Sequence, residues 1–211
     1  MPTLSESRIA ALLTPYLPEV PAGILPRLST YLDLLVKWNT RTNLTAIRDP
    51  EEIVQRHFGE SLFAARHLSP GTTTLLDLGS GAGFPGLPIA IFRRDIAVTL
   101  AESQNKKATF LREVTRSLGL EAEIWPARVE TIPTSRQFDT VTLRAVDNMA
   151  AAIAAAASRA AHDLLILTST APTLPPNFTQ HPLIPIPNTQ SGILLRVTRT
   201  SVFHVEHQPP S

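Results

Sequence analysis

Residues 75–86 read Leu-Leu-Asp-Leu-Gly-Ser-Gly-Ala-Gly-Phe-Pro-Gly, with an apolar strand pattern before them and a helical pattern after them. Glycine at 79, 81 and 83 lets the chain turn tightly and lets a ligand approach the backbone. The next apolar strand, Ile96–Ala101, ends in Glu102, 19 residues after Gly83. A carboxylate at that distance suits hydrogen bonding to a ribose diol. Two ligand chemistries compete for this arrangement. Gly81 to Gly86 formally satisfies G-x-G-x-x-G, which cradles a dinucleotide pyrophosphate. The longer pattern from Asp77 to Gly83 suits a methyl donor with an ammonium and a sulfonium, S-adenosylmethionine. A carboxylate at 77 repels a pyrophosphate and favours a cation, so charge sign prefers the methyl donor. A glycine-rich turn with no ligand is the third possibility.

These residues need a parallel sheet to hold them. From residue 74, short apolar strands (74–78, 96–101, 122–125, 138–143, 164–168, 193–197) alternate with helical stretches at 85–92, 104–118 and 147–161. That alternation implies βαβ units and a mostly parallel α/β sheet. The helix over 103–118 buries Phe110, Leu111, Val114 and Leu118, with Gly119 as its stop. Nine alanines in residues 149–161 suit a crossover helix packed closely on the sheet. Before residue 69 the chain reads as helical. Ile24, Leu28, Leu32 and Leu35 recur at helical spacing beside Tyr31 and Trp38. A second helix starts at Asp49-Pro50-Glu51-Glu52, with a capping residue, a first-turn proline and two acids at the positive end of the dipole. The expected organisation is a helical extension over 1–68, a Rossmann-like domain over 69–203 and a tail over 204–211.

Composition narrows the function classes. The 211 residues carry 19 basic and 18 acidic side chains, a net charge of +1, and no cysteine. Without cysteine there is neither a disulfide framework nor a thiolate metal site. The apolar runs fall short of the ~20 residues of a membrane span, and the N-terminus lacks a secretory signal's pattern, so a cytoplasmic protein is expected. Near-neutral charge argues against an indiscriminate nucleic-acid binder. Of 19 prolines, six lie between Pro172 and Pro187, and this stretch is expected to be an exposed, extended connection.

Six ordered motifs resemble the bacterial 16S rRNA guanine-N7 methyltransferases of the glucose-inhibited division protein B family. They are KWNTRTNLTAIRDPEEIVQRHFGESL (37–62), LLDLGSGAGFPGLPIAI (75–91), ESQNKKATFLREV (102–114), ARVE (127–130), FDTVTLRAV (138–146) and FHVEH (203–207). The resemblance implies a Rossmann-like S-adenosylmethionine-dependent methyltransferase with an N-terminal helical extension. It implies a guanine N7 of 16S rRNA, in the RNA or the small ribosomal subunit, as acceptor. Carried over by position, Asp77, Gly79, Gly81, Gly83 and Phe84 line the cofactor site, Glu102 holds the ribose, Val129 and Glu130 lie beside the adenine, and Arg144 completes the pocket or faces the base. A monomer without metal is expected.

The sequence departs from the family at Glu102 and Glu60, which replace aspartates, and at Ala127, which replaces a glycine. After the fifth strand, Thr168-Ser169 stands where the family has Lys-Gly, so any RNA-holding cation must come from elsewhere. Guanine N7 carries an in-plane lone pair and is unprotonated at neutral pH. It needs no general base, so none is nominated; proximity and electrostatic environment carry the rate. His57 and Trp38 read as structural, Asn39 and Asn43 as helix-end residues, and Lys106, Lys107, Arg112 and Arg116 as a solvated helix face or a phosphate contact. His204 and His207 are too few for a metal site. Two other functions fit the motifs: a methyltransferase of this fold acting on another substrate, and a noncatalytic ribosome-binding protein.

Overall fold

A computed structural model describes residues 2–145 and 148–200. Eight strands form one sheet: β1 Thr74–Leu78, β2 Ala97–Ala101, β3 Glu123–Trp125, β4 Phe138–Arg144, β5 Ala160–Thr168, β6 Phe178–Gln180, β7 Ile184–Pro185 and β8 Ile193–Arg199. Their order is β3-β2-β1-β4-β5-β8-β6, with β7 also pairing β8. The first five strands are parallel, and β8 runs antiparallel to β5 and to both short strands. The order reverses between β1 and β4, and open α/β sheets bind ligands at the carboxyl ends of strands flanking such a reversal.

Both faces of the sheet are covered, which is why its strands read as continuous apolar runs. Leu75, Val98, Leu100, Leu165 and Leu167 face one core with helices α1 (Glu6–Leu13), α2 (Leu25–Asn39) and α6 (Asn105–Leu118). Leu76, Val141, Leu143, Leu164 and Ile166 face the other core, beneath α7 (Met149–Ala157). Neighbouring residues alternate between the two cores, as a pleated strand requires. The helical segment before residue 69 thus shares its core with the sheet.

The helix expected from Asp49 begins as read. The Asp49 carboxylate accepts from Glu52 N at 2.9 Å, and Pro50 opens α3 (Pro50–Glu52). The chain then runs through a π-helical segment, Ile53–Gly59, into α4 (Glu60–Arg66). The wider turn is absent from the sequence reading, because apolar periodicity does not separate α from π over seven residues. At Gly59 the backbone lies against the Tyr16 ring, where a Cβ would sit 2.5 Å from ring carbons.

Two expectations are corrected. The proline-rich stretch is more than an exposed connection: it contains β6 and β7 and buries Phe178 and Ile186. Both strands are short and peripheral, the places in a sheet where proline is tolerated. The alanine-rich helix stops at Ala157, and β5 begins at Ala160, so Ala160 and Ala161 belong to a strand. Alanine's helix propensity is overridden there by pairing with β4. The FHVEH motif, its two histidines and the 204–211 tail lie outside the described residues.

Candidate active site

Asp77, near the end of β1, is fully buried. Its Oδ1 accepts from the Thr142 hydroxyl at 2.8 Å and its Oδ2 from Gly86 N at 3.1 Å. Burial raises its pKa to about 6, although Thr142, Ser80 and Gly86 pull it back. Asp77 therefore lies beneath the loop and ties α5 (Gly86–Phe92) to the strand end. Whatever its charge does to a ligand acts through space, which modifies the contact expected from its position in the motif.

The loop turns through positive φ at Gly79, Gly81 and Gly83. Gly83, at +100°, is the most constrained: a Cβ there would strike Leu87 and lie 2.7 Å from the Tyr31 hydroxyl. Tyr31 donates to the Ala82 carbonyl at 2.5 Å, so α2 pins the loop from below. Glu102 pins it from the front. Its Oε2 accepts from Gly81 N at 2.9 Å, and its Oε1 accepts from Gln104 N at 2.7 Å. A carboxylate offers about four acceptor positions, so both oxygens keep capacity for a diol.

A cavity of about 420 Å³ opens above this loop. Of the residues expected at the site, Gly79, Gly81, Phe84, Glu102 and Arg144 line it. Asp77 and Gly83 are not among its lining residues. Val129, buried, and Glu130, exposed, sit on a single helical turn beyond β3 and are not among the lining residues. Leu44, Thr45, His57 and Lys107 line the cavity as well. Asn39 holds the first two in place: its Oδ1 accepts from Leu44 N and Thr45 N at 2.9 and 3.1 Å. The helix-end reading of Asn39 is right and incomplete, since the loop it holds is a cavity wall. Trp38 packs edge-on against Phe110, 5.6 Å between centroids, as a partly buried core residue.

Aromatic rings form the far wall. Phe84 stacks on His57 at 4.6 Å and on Tyr31 at 5.4 Å. His57 is buried, and its Nδ1 stands 2.8 Å from Arg144 Nη1. Burial, then Arg144 and Arg56, depress its pKa to about 3. Arg144, at the end of β4, donates through Nη2 to the Arg56 carbonyl at 2.8 Å and to Glu60 Oε2 at 3.0 Å. Glu60 Oε1 accepts from Arg56 Nε at 2.8 Å. Sequence reasoning missed this cluster, because its members lie on the π-helical segment (Arg56, His57), on the first turn of α4 (Glu60) and on a strand 84 residues beyond Glu60. The signal available was the RHFGESL run itself, charged and polar on an apolar helix.

Arg144 and the following Ala145 also line a larger cavity, of about 690 Å³. Arg56 and Glu60 form one side of it, Met149 and Leu167 part of its floor, and Thr168, Ser169 and the turn Asn188–Gly192 its rim. Ala145 has φ of +49°, unusual for a residue with a Cβ, where two cavities meet. Among the described residues, no group of three or more His, Asp or Glu could hold a metal ion. No helix among them is long and apolar enough to cross a membrane.

Comparison with known proteins agrees with this architecture. The ribosomal protein L11 methylase of Lactobacillus delbrueckii subsp. bulgaricus superposes with a TM-score of 0.54 at 10% identity, covering 70% of this chain and 80% of that one. TrmN of Thermus thermophilus superposes with a TM-score of 0.55 at 15% identity, over 69% of this chain and 53% of its own. At these identities the likeness shows the fold, a Rossmann-like methyltransferase sheet. In sequence, the ribosomal RNA small subunit methyltransferase G of Xanthomonas campestris is 48% identical over 125 residues, 59% of this chain. The match spans 58% of that relative's length. A family model described as rRNA small subunit methyltransferase G matches residues 24–168, well over half of the chain. The chain belongs to the rRNA small subunit methyltransferase G (GidB) family.

Proposed function

We propose that the protein transfers a methyl group from S-adenosylmethionine to N7 of a guanine in 16S rRNA. The observation that carries the reading is the meeting of two cavities at Arg144 and Ala145, since group transfer needs a donor site and an acceptor site that touch. The smaller cavity fits the cofactor. Its volume lies in the range of small-molecule sites, Phe84 and Leu44 supply apolar wall, and Glu102 retains acceptor capacity for the ribose hydroxyls. When bound, the cofactor supplies an electrophilic methyl on a cationic sulfur. Gly79, Gly81, Phe84, Glu102 and Arg144 are the residues proposed to hold it. Asp77 and Gly83 shape the loop from beneath, and Val129 and Glu130 are proposed at the adenine end.

The larger cavity is proposed to take the guanine, presented from a loop or unstacked strand, as RNA bases usually are when read individually. Its walls mix hydroxyls, amides and apolar side chains, which suits a planar heteroaromatic base. Arg56, half-exposed, is proposed as this cavity's cation toward RNA, since Thr168-Ser169 stands where the family has Lys-Gly. N7 attacks the methyl through its own lone pair, so the chain abstracts no proton. Its work is to align the two groups and to exclude water. As positive charge passes from sulfur to the purine, the fixed dipoles of the loop and the Glu102 carboxylate stay in place. The segment 1–68 is proposed as the extension that closes the cofactor cavity through Thr45 and His57.

Mapping N7-methylguanine in 16S rRNA by borohydride–aniline cleavage, with and without the gene, tests this function. Deletion should abolish one cleavage, and the parent gene should restore it. A Gly81→Asp copy should not, because it places a second carboxylate beside Glu102 at a φ of +58°. An identical pattern with and without the gene would refute the reading and leave another substrate or a binding role.

A further inference from the structure

The imidazole of His57 stands between Thr45 and Arg144, and the chemistry of its neighbours fixes which nitrogen carries the proton. Guanidinium N–H groups only donate. The 2.8 Å contact between Arg144 Nη1 and His57 Nδ1 therefore requires a bare Nδ1. The proton sits on Nε2, which donates to the Thr45 hydroxyl oxygen at 2.7 Å. That oxygen also accepts from Ile47 N at 3.2 Å. With both lone pairs used, the Thr45 O–H has only donation left, and Thr45 lines the cofactor cavity. On the other side, Arg144 spends one Nη1–H on His57 and two Nη2–H on Arg56 and Glu60. Among the described residues its Nε–H and second Nη1–H take no partner, on a residue that lines both cavities.

We propose that His57 is a positioning residue for methyl transfer, an imidazole held as its Nε2–H tautomer that aims the Arg144 guanidinium into the wall between the cavities and the Thr45 hydroxyl into the cofactor cavity. This rests on the function proposed above and adds a residue to it. The π-helical segment and the start of α4 bring three acceptors around one guanidinium: the His57 ring, the Arg56 carbonyl and the Glu60 carboxylate. π-turns within helices occur often at functional sites. The stack on Phe84 fixes the plane of the ring. Among the described residues, the charged groups around the imidazole are Arg144 from β4, Arg56 and Glu60 from the helical run that carries it and, across the cavity, Lys107 from α6. Burial first, then Arg144 and Arg56, hold the ring neutral throughout the working pH range.

The test is a long-range 1H–15N spectrum of the full chain, with His57 assigned by its loss in His57→Asn. A protonated Nε2 and a bare Nδ1, unchanged between pH 7.5 and 5.5, are expected. A doubly protonated ring or an Nδ1–H tautomer in that range would overturn the proposal. In RNA methylation, His57→Phe keeps a ring on Phe84 and removes both polar contacts; kcat should fall at least tenfold. His57→Asn keeps an acceptor near the Nδ1 position and should recover kcat to within about threefold of the parent. Full kcat in a folded His57→Phe, or no recovery in a folded His57→Asn, would also overturn it. If the parent chain itself methylates no RNA, the proposed function fails, and the spectrum still decides the state of the imidazole.

Discussion

The two cavities that meet at Arg144 are built differently. The smaller takes most of its wall from one βαβ unit: the loop after β1 and the residues after β2. Spacing fixes its geometry, because a glycine turn and a strand-end carboxylate in adjacent parallel strands can only meet in one way. The larger is assembled from helix α4, the end of β4, the start of α7, the end of β5 and the turn between β7 and β8. Apart from the end of β4 and the start of α7, these pieces lie far from one another in sequence. On the proposed function, a cofactor common to many enzymes would be met by a local device and the acceptor by the far edge of the sheet.

The strongest way to break this contrast is to attack the wall that both cavities share. Glu60→Gln leaves the Arg144 guanidinium, whose side chain is only 13% exposed, without its counter-charge. Removing one partner of a buried pair costs about 3–5 kcal/mol. For a chain of this size that lowers Tm by roughly 6–20 °C. Cofactor affinity and RNA methylation should fall together in calorimetry and kinetic assays at a temperature where the variant is folded. Loss of one with the other intact would show that the wall is not shared.

The contrast also explains what the sequence could and could not reveal. The parallel strands, the loop and Glu102 were legible, because glycine, apolar runs and a strand-end acid leave local marks. The Arg144–His57–Glu60 cluster was not. Arg144 was expected at the pocket, but His57 and Glu60 look like ordinary polar members of a helix, and only the folded chain brings them to Arg144, 84 residues beyond Glu60. β6 and β7 were hidden by proline, which argues against strands except at a sheet's periphery. The near-neutral charge pointed away from a nucleic-acid partner, since composition does not show where cations are focused. Arg56 lines the larger cavity, while the chain's net charge stays at +1.

Asp77 sharpens the comparison from the cofactor side. Its pKa is raised in the folded chain to about 6, from an ordinary 3.8. Between those values the native state binds more protons than the unfolded state, so Asp77 makes stability fall as pH rises through that window. At pH 7 the buried charge costs up to about 3 kcal/mol. Asp77→Asn should remove the dependence. Its stability relative to the parent should be highest at pH 7 and decline toward pH 4, as read from paired denaturant titrations. Cofactor affinity should weaken, because the carboxylate's field on a cationic ligand is gone. A constant difference between variant and parent across pH 4–7 would mean that Asp77 titrates normally. Unchanged affinity would remove its charge from the case for a cationic ligand.

The smallest effect on stability belongs to the larger cavity. The turn Asn188–Gly192 is held by Thr189: its hydroxyl donates to the Ile186 carbonyl at 2.8 Å and accepts from Gly192 N at 3.0 Å. Gln190 takes no part in those bonds, is exposed, and lines the cavity. Gln190→Ala should therefore change stability by no more than about 0.5 kcal/mol, as surface substitutions do. Thr189→Val should cost about 1 kcal/mol through the lost hydrogen bonds. If the turn reads the acceptor, both variants should raise KM for RNA several-fold and leave the affinity for S-adenosylmethionine unchanged. Thr189→Val should show the larger rise, because it moves the whole rim instead of removing one amide. A shift in cofactor affinity with an unchanged KM for RNA would reverse the assignment of the two cavities. The expected rise in KM for RNA would tie recognition of the acceptor to the β7–β8 turn and its neighbours, a part of the chain whose proline-rich sequence carries no glycine-loop motif.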